Sequence, residues 1–347
     1  MKHIEYILFL AVFLVSSCVS CTPENIDRDI DKVEDSYNDF EADAVGDTYK
    51  DGGLLFAHMT DKDYGRLYYS ISKDGLVWTA LNEGKKVNTK YLGHPDIIKG
   101  ADDRYYMISG ISSGSIDASL FVSSDLITWK VEKTISKTKV FNGLSGYTAD
   151  NTYFGAPKLF YDEDSEQYII TWHATKGVEQ DFTKMKTLYT LTSDFKTFTK
   201  PQILFDFQSE EDKDIVTIDV IIRKINGKYW AIYKDERDPE ICKTGKTIRL
   251  SYSDELTGPY TEPSAPITPT WFEAPAIAPA PDGKGWYIWA ENYPKQYYRF
   301  EVGEWGTTGW KQTPLPFVGT RHGCVVRINQ EEYDAIMEEF GPVEEEE

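Results

Sequence analysis

From about residue 52 to residue 330, apolar runs of four to eight residues rich in Val, Ile, Tyr, Phe and Trp alternate with short polar turns. Runs of strand length bounded by turn residues predict β-structure, and no stretch before residue 330 has convincing helical periodicity. The runs fall into units. Four units end alike, in SISKDGLVWTAL (70–81), FVSSDLITWKVE (121–132), TLTSDFKTFTKP (190–201) and LSYSDELTGPYTE (250–262), and a looser EVGEWGTTGWKQ (301–312) follows. Each reads as strand, tight turn, strand. Asp74, Asp125, Asp194 and Asp254, with the serines before them, can bond the turn's backbone, and the aromatic beyond (Trp78, Trp129) packs within the unit.

The unit beginnings are GHPDIIKG (93–100), GAPKLFYD (155–162), TIDVIIRK (217–224), EAPAIAPA (273–280) and RHGCVVRI (321–328). After each of the first four come a turn and a second aromatic run: DDRYYMIS, SEQYIITW, NGKYWAIY and DGKGWYIW. Four short strands repeated at a period of about 50–70 residues predict an all-β fold, a five-bladed β-propeller. The first strand group (54–81) lacks a beginning, and the last beginning lacks followers. Joining them makes one blade from both ends of the chain and closes the ring without an open edge. A two-sheet sandwich would leave the repeat unexplained.

The flanks read differently. Lys2 and His3 precede a largely apolar run, Ile4 to Val15, which is an export signal too short to span a bilayer as a helix. V-S-S-C at 15–18 resembles the lipobox of bacterial lipoproteins. That implies a signal peptide over 1–18, lipidation of Cys18, and an exported protein anchored to the outer membrane or cell surface, or periplasmic. Cys21 is a second candidate, and a plain secretory signal is the alternative. Residues 19–51 read as an acidic spacer, 52–330 as the domain, and 331–347 as a tail ending in four glutamates. Cys242 and Cys324 fit either one disulfide or two free thiols, and no Cys/His spacing suggests a metal site.

A net charge of −20 argues against nucleic acid or an anionic membrane surface as partner, leaving the lipid anchor as the membrane contact. Abundant aromatics suit a neutral ligand with flat apolar faces, such as a poly- or oligosaccharide. In a propeller the innermost strands line the axis, so residues at their starts converge. Those residues are His94 and Asp96, Ala156, Asp219, Glu273 and His322. Glu273 follows two large aromatics, Trp271 and Phe272, and a charge there is costly unless paired or used. Its structural alternative is a salt bridge. Like charges and burial raise the pKa of one carboxyl, which stays protonated as an acid while another stays ionised as a base. Glycoside hydrolysis needs that division. Trp271, Phe272, Phe154, Tyr153 and Trp172 are candidates for stacking on sugar rings. Lys234, Asp235, Glu236 and Glu291 follow second strands and can line the cleft.

G-A-P at 155–157, I-D at 218–219 and E-A-P at 273–275, in this order, resemble the inner-strand motifs of glycoside hydrolase family 43 and its neighbours; the resemblance covers about residues 52–330. It implies hydrolysis of arabinose- and xylose-containing plant polysaccharides with inversion and no required cofactor. Glu273 would be the general acid and Asp219 the residue that orients it and tunes its pKa. It also implies that His322 helps hold a water or a calcium ion in the central channel; a satisfied core histidine is the other reading. The chain departs from the pattern at the base, where His94-Pro95 replaces an Asp-Pro. Three outcomes are open: Asp96 replaces the base, His94 acts as base, or the site binds sugar without cleaving it.

Overall fold

The computed structural model describes residues 49–110, 117–141, 143–144, 146–147, 154–177, 181–283, 285–293 and 296–342. Cys18, the signal, most of the spacer, Tyr153 and residues 343–347 lie outside the described residues. The first three strands, β1 (Gly53–Thr60), β2 (Tyr68–Ser72) and β3 (Thr79–Ala80), form a meander. A second blade holds β4 (Ile97–Lys99), β5 (Tyr105–Ile108), β6 (Ala118–Ser123) and β7 (Lys130–Ile135). The third holds β8 (Gly155–Asp162), β9 (Gln167–Ala174), β10 (Lys186–Thr192) and β11 (Gln202–Ile203). In the fourth are β12 (Thr217–Ile225), β13 (Lys228–Asp235) and β14 (Thr247–Ser253). The fifth has β15 (Phe272–Pro279), β16 (Trp286–Asn292), β17 (Gln296–Glu301) and β18 (Lys311–Val318). Finally β19 (Thr320–Ile328) pairs antiparallel with β1, giving the order β19-β1-β2-β3. The fold is a five-bladed β-propeller closed by a blade drawn from both ends of the chain.

The fourth blade has three strands rather than the expected four. Pro259, Pro263, Pro266 and Pro269 fill the segment after β14 and remove the donors a ladder needs. That segment follows β14 without forming a strand: the N–H groups of Thr261, Ser264 and Ile267 donate to the Tyr252, Leu250 and Ile248 carbonyls, and the hydroxyls of Thr261, Ser264 and Thr268 accept from the N–H groups of Tyr252, Leu250 and Ile248. The turn chemistry matches the sequence pattern in three units. Asp74 Oδ1 accepts from the N–H groups of Leu76 and Val77, both at 2.8 Å, and Asp125 and Asp194 repeat the arrangement. In the fourth unit Ser253 takes the turn's N–H instead, and Asp254 pairs with Lys228.

Apolar clusters fill the spaces between neighbouring blades. Polar links cross these spaces too: Trp129 Nε1 donates to the Tyr69 hydroxyl at 2.7 Å, which donates to the Leu126 carbonyl at 2.9 Å. Residues 331–347, read from sequence as a tail, begin inside a helix, Gln330–Phe340. Asn329 and Glu332 cap it reciprocally, and Ile336 and Phe340, four apart, bury one face among the side chains of the first two blades. At the other end Tyr49 is buried and its N–H bonds the Lys73 carbonyl, so the domain begins slightly before residue 52. Cys242 and Cys324 are both free thiols.

Buried His58 generates a prediction. Its Nδ1 lies 3.1 Å from the Met59 carbonyl, which can only accept, so Nε2 accepts from Ser70 Oγ at 3.0 Å and the ring is neutral. Burial lowers its pKa to about 4 from 6.5. The unfolded chain therefore takes this proton first as the pH falls. The stability His58 contributes is complete above about pH 6.5 and lost towards pH 4, by up to about 3 kcal/mol. Urea unfolding between pH 7 and 4 should show a shallower pH slope for His58→Gln than for the wild type; equal slopes would refute the assignment.

Candidate functional site

Four inner strands carry one extra residue each near their starts. Gly155 faces His173, yet Lys158 faces Thr171; Ile218 and Ile221 face Lys234 and Ile232; Glu273 and Ala276 face Glu291 and Trp289. In β19, Gly323 and Arg321 face His58 and Met59, leaving His322 as the extra residue. Such bulges re-aim side chains. Their inserted residues Ala156, Asp219 and Ala274 have φ of 40°, 52° and 50°, a left-handed conformation unusual for residues with a Cβ. The motifs G-A-P, I-D and E-A-P are thus the sequences of three equivalent bulges. The register also sets His173, Lys234 and Glu291 at equivalent, buried places on the second strands.

Glu273 sits in a dense charge cluster. Its Oε2 accepts from Lys234 Nζ at 2.9 Å and from the Tyr293 hydroxyl, and its Oε1 from an Arg321 guanidinium N–H at 3.0 Å. His322 Nε2 is 3.4 Å from Glu273 Oε1 and 3.8 Å from Glu291 Oε1. Glu291 in turn accepts from Arg321 Nε at 2.6 Å and from the His322 N–H at 2.7 Å. Burial alone would raise both carboxyl pKa values. For Glu273 the Lys234 ammonium and His322 outweigh burial and hold the carboxyl well below its usual range. For Glu291 burial, with Glu273's charge added, wins against His322 and Arg321 and pushes the carboxyl up to about 7. In this state Glu273 is the ionised member and Glu291 the one near its titration point, the reverse of the order expected for an acid at Glu273. His322 is pulled down by burial but raised overall by Glu291, Glu273 and Asp219.

Donor atoms of His94, Asp219 and His322 lie within 4.8 Å of one another, and those of Glu273, Glu291 and His322 form a second such group. Four of the expected residues, Glu273, Asp219, His322 and His94, are therefore brought to one place by four blades. Among the described residues Asp219 Oδ2 and His94 Nδ1 are buried without a hydrogen-bond partner. His94 Nε2 is 3.0 Å from the Tyr64 hydroxyl, and the two imidazoles approach to 4.5 Å between ring centroids. Burial, with His322, Lys158 and His173 nearby, holds His94 well below its usual pKa.

Asp96 belongs elsewhere. It is fully buried, with Oδ1 3.0 Å from an Arg223 guanidinium nitrogen and Oδ2 accepting from the Leu159 N–H at 3.1 Å. Both oxygens tie inner strands together, which corrects its reading as a replacement base. Three stacking candidates also change role. Phe154 and Trp172 pack on each other and on Phe141 in the core, and Phe272 packs on Tyr298 and Phe300. All three are almost wholly buried and have no face for a sugar. Trp271 is partly exposed and lies edge-on to Tyr293, beside Glu273. Arg321, Tyr64, Tyr293 and His173 are participants that the sequence reading missed. The available signal was local: Arg321 directly precedes His322, and His173 follows an apolar run as Lys234 and Glu291 do. The calcium implied by the family resemblance does not fit: calcium takes six to eight oxygens, whereas the group containing both histidines offers two imidazoles and one carboxylate.

The fold is an all-β propeller with two carboxyls, Glu273 and Glu291, gathered near the start of one inner strand. Residues 47–334 match the family 43-related domain described as a probable glycosyl hydrolase domain, and the chain belongs to that family. No curated protein matches it. Among solved structures, it is similar to an exo-β-1,3-galactanase from Clostridium thermocellum, at 14% identity over 68% of this chain and 50% of that one, with a TM-score of 0.53. An α-L-arabinofuranosidase from the same organism matches at 13% identity over 80% and 97%, TM-score 0.49. An exo-β-1,3-galactanase from Phanerochaete chrysosporium matches at 13% over 64% and 49%, TM-score 0.49. At these identities the likeness is one of fold, and the chain spans about half the length of both galactanases.

Replacing Asp96 by Asn leaves Arg223 without its buried counter-charge. The expected loss is about 3 kcal/mol of unfolding free energy, read by urea titration. A variant as stable as the wild type would contradict the structural role given to this pair.

Proposed function

We propose that this chain is an exported glycoside hydrolase acting on arabinose- or xylose-containing plant polysaccharides or oligosaccharides, tethered to the membrane through lipid on Cys18. The observation that carries the catalytic part is the gathering of Glu273, Asp219, His94 and His322 from four blades, with acceptor atoms of Asp219 and His94 left free. In this reading Glu273 serves the leaving oxygen. Asp219 and His94 face the attacking water, since Asp96 is committed to Arg223. Inversion requires the acid and the water-side group about 6.5–9.5 Å apart. Sugar entering beside Trp271 must loosen the Lys234 and Arg321 contacts before Glu273 can carry a proton. Those same contacts favour a second reading, a propeller that binds sugar without cleaving it.

Release of arabinose and xylose from a polysaccharide panel, alongside binding to the same panel, separates the two. Hydrolysis predicts sugar release by the wild type and a fall of about 10²–10⁴-fold in kcat for Glu273→Gln, with binding retained. Undiminished release by that variant overturns the acid assignment. Binding without release by either protein establishes the second reading.

A further inference from the structure

We propose that His94, Asp219 and His322 form a binding site for a divalent transition ion of the zinc class. Their donor atoms, supplied by the second, fourth and first blades, lie within 4.8 Å of one another. Asp219 is about 4% exposed, and its Oδ2 finds no hydrogen-bond partner among the described residues; neither does the buried Nδ1 of His94. A carboxylate oxygen and an imidazole nitrogen left bare in this way cost free energy that a shared cation would recover. Asp219 is held in place by its bulge, with φ of 52°.

The surroundings match those of metal-bound histidines, whose second ring nitrogen engages an oxygen that fixes the ring. His94 Nε2 lies 3.0 Å from the Tyr64 hydroxyl, and with Nδ1 given to the ion it would donate its Nε2–H there. The Nε2 of His322 lies 3.4 Å from Glu273. Two imidazoles and one carboxylate select zinc and its neighbours over calcium or magnesium, which prefer oxygen alone. Donors in a tetrahedral zinc site stand about 3.3 Å apart, so side-chain shifts of about an ångström close this set. The departure from the Asp-Pro of the resembling family supplies the second imidazole. The ion would take the same Asp219 and His94 atoms that the hydrolytic reading turns toward the attacking water, so ion and unliganded water are alternative occupants of this point.

The test uses the tag-free chain, stripped with a chelator, loaded with Zn²⁺ or Ca²⁺, desalted, and assayed for metal by plasma mass spectrometry. The expected result is about one zinc per chain, not displaced by excess calcium, with a rise in melting temperature. Co²⁺ in its place should give the visible absorption of a nitrogen- and oxygen-ligated ion. His94→Ala and Asp219→Asn should each weaken zinc binding at least about tenfold. Failure to retain zinc, preference for calcium, or unchanged affinity in both variants overturns the proposal. Should a variant misfold, zinc retention and the cobalt spectrum of the wild type decide alone. Because none of these readouts is sugar release, the metal site and the hydrolytic reading can fail separately.

Discussion

One inserted residue near the start of an inner strand is the constraint on which the site rests. Without it, strand alternation would send neighbouring side chains to opposite faces of each blade at every position. The bulges in β8, β12, β15 and β19 break that alternation at the same height. Asp219 and His322 are themselves the inserted residues, and Glu273 directly precedes one. The left-handed positions of three of the four are held by Ala156, Asp219 and Ala274, small or short polar residues. Side chains more than a hundred residues apart thereby meet.

Bringing that much charge together demands compensation, and the second strands supply it. Lys234 and Glu291, at equivalent register positions, have opposite signs, and Arg321 bridges Glu273 and Glu291. The outcome is an uneven pair in which Glu273 is held ionised and Glu291 is raised, so that in this state the proton-holding place falls on Glu291 rather than on Glu273. A second network, Asp96 with Arg223 and Leu159, locks the second, third and fourth blades to one another. Two acidic residues that look alike in the sequence therefore do different work. Asp96 holds inner strands together, and Asp219 keeps an oxygen free.

The blades were legible because their signals are local and repeated: Ser-Asp turns, an aromatic after each, apolar runs of strand length. Closure by β19 against β1 followed from counting what was missing at each end. The role of Asp96 is not legible in the sequence, because its partner Arg223 lies 127 residues away and nothing near Asp96 announces it. Sequence gives the identity of the rings of Phe154, Trp172 and Phe272 but not the direction they face, which is into the core rather than toward a sugar. The helix after residue 330 carried its own signature in Asn329, Glu332, Ile336 and Phe340, but the acidic composition around it masked the apolar spacing. At the outer edge of the fourth blade the prolines that prevent a strand are plain in the sequence, so the missing fourth strand carries a local signal.

The central claim is that four blades aim Glu273, Asp219, His94 and His322 at a single sugar-binding point. A crystal structure of Glu273→Gln soaked with an arabinose- or xylose-containing oligosaccharide tests it directly. The account predicts electron density for a sugar ring beside Trp271, within hydrogen-bond reach of residue 273 and of Asp219 or His94. Well-ordered sugar only at another surface, with these four side chains untouched, would contradict it.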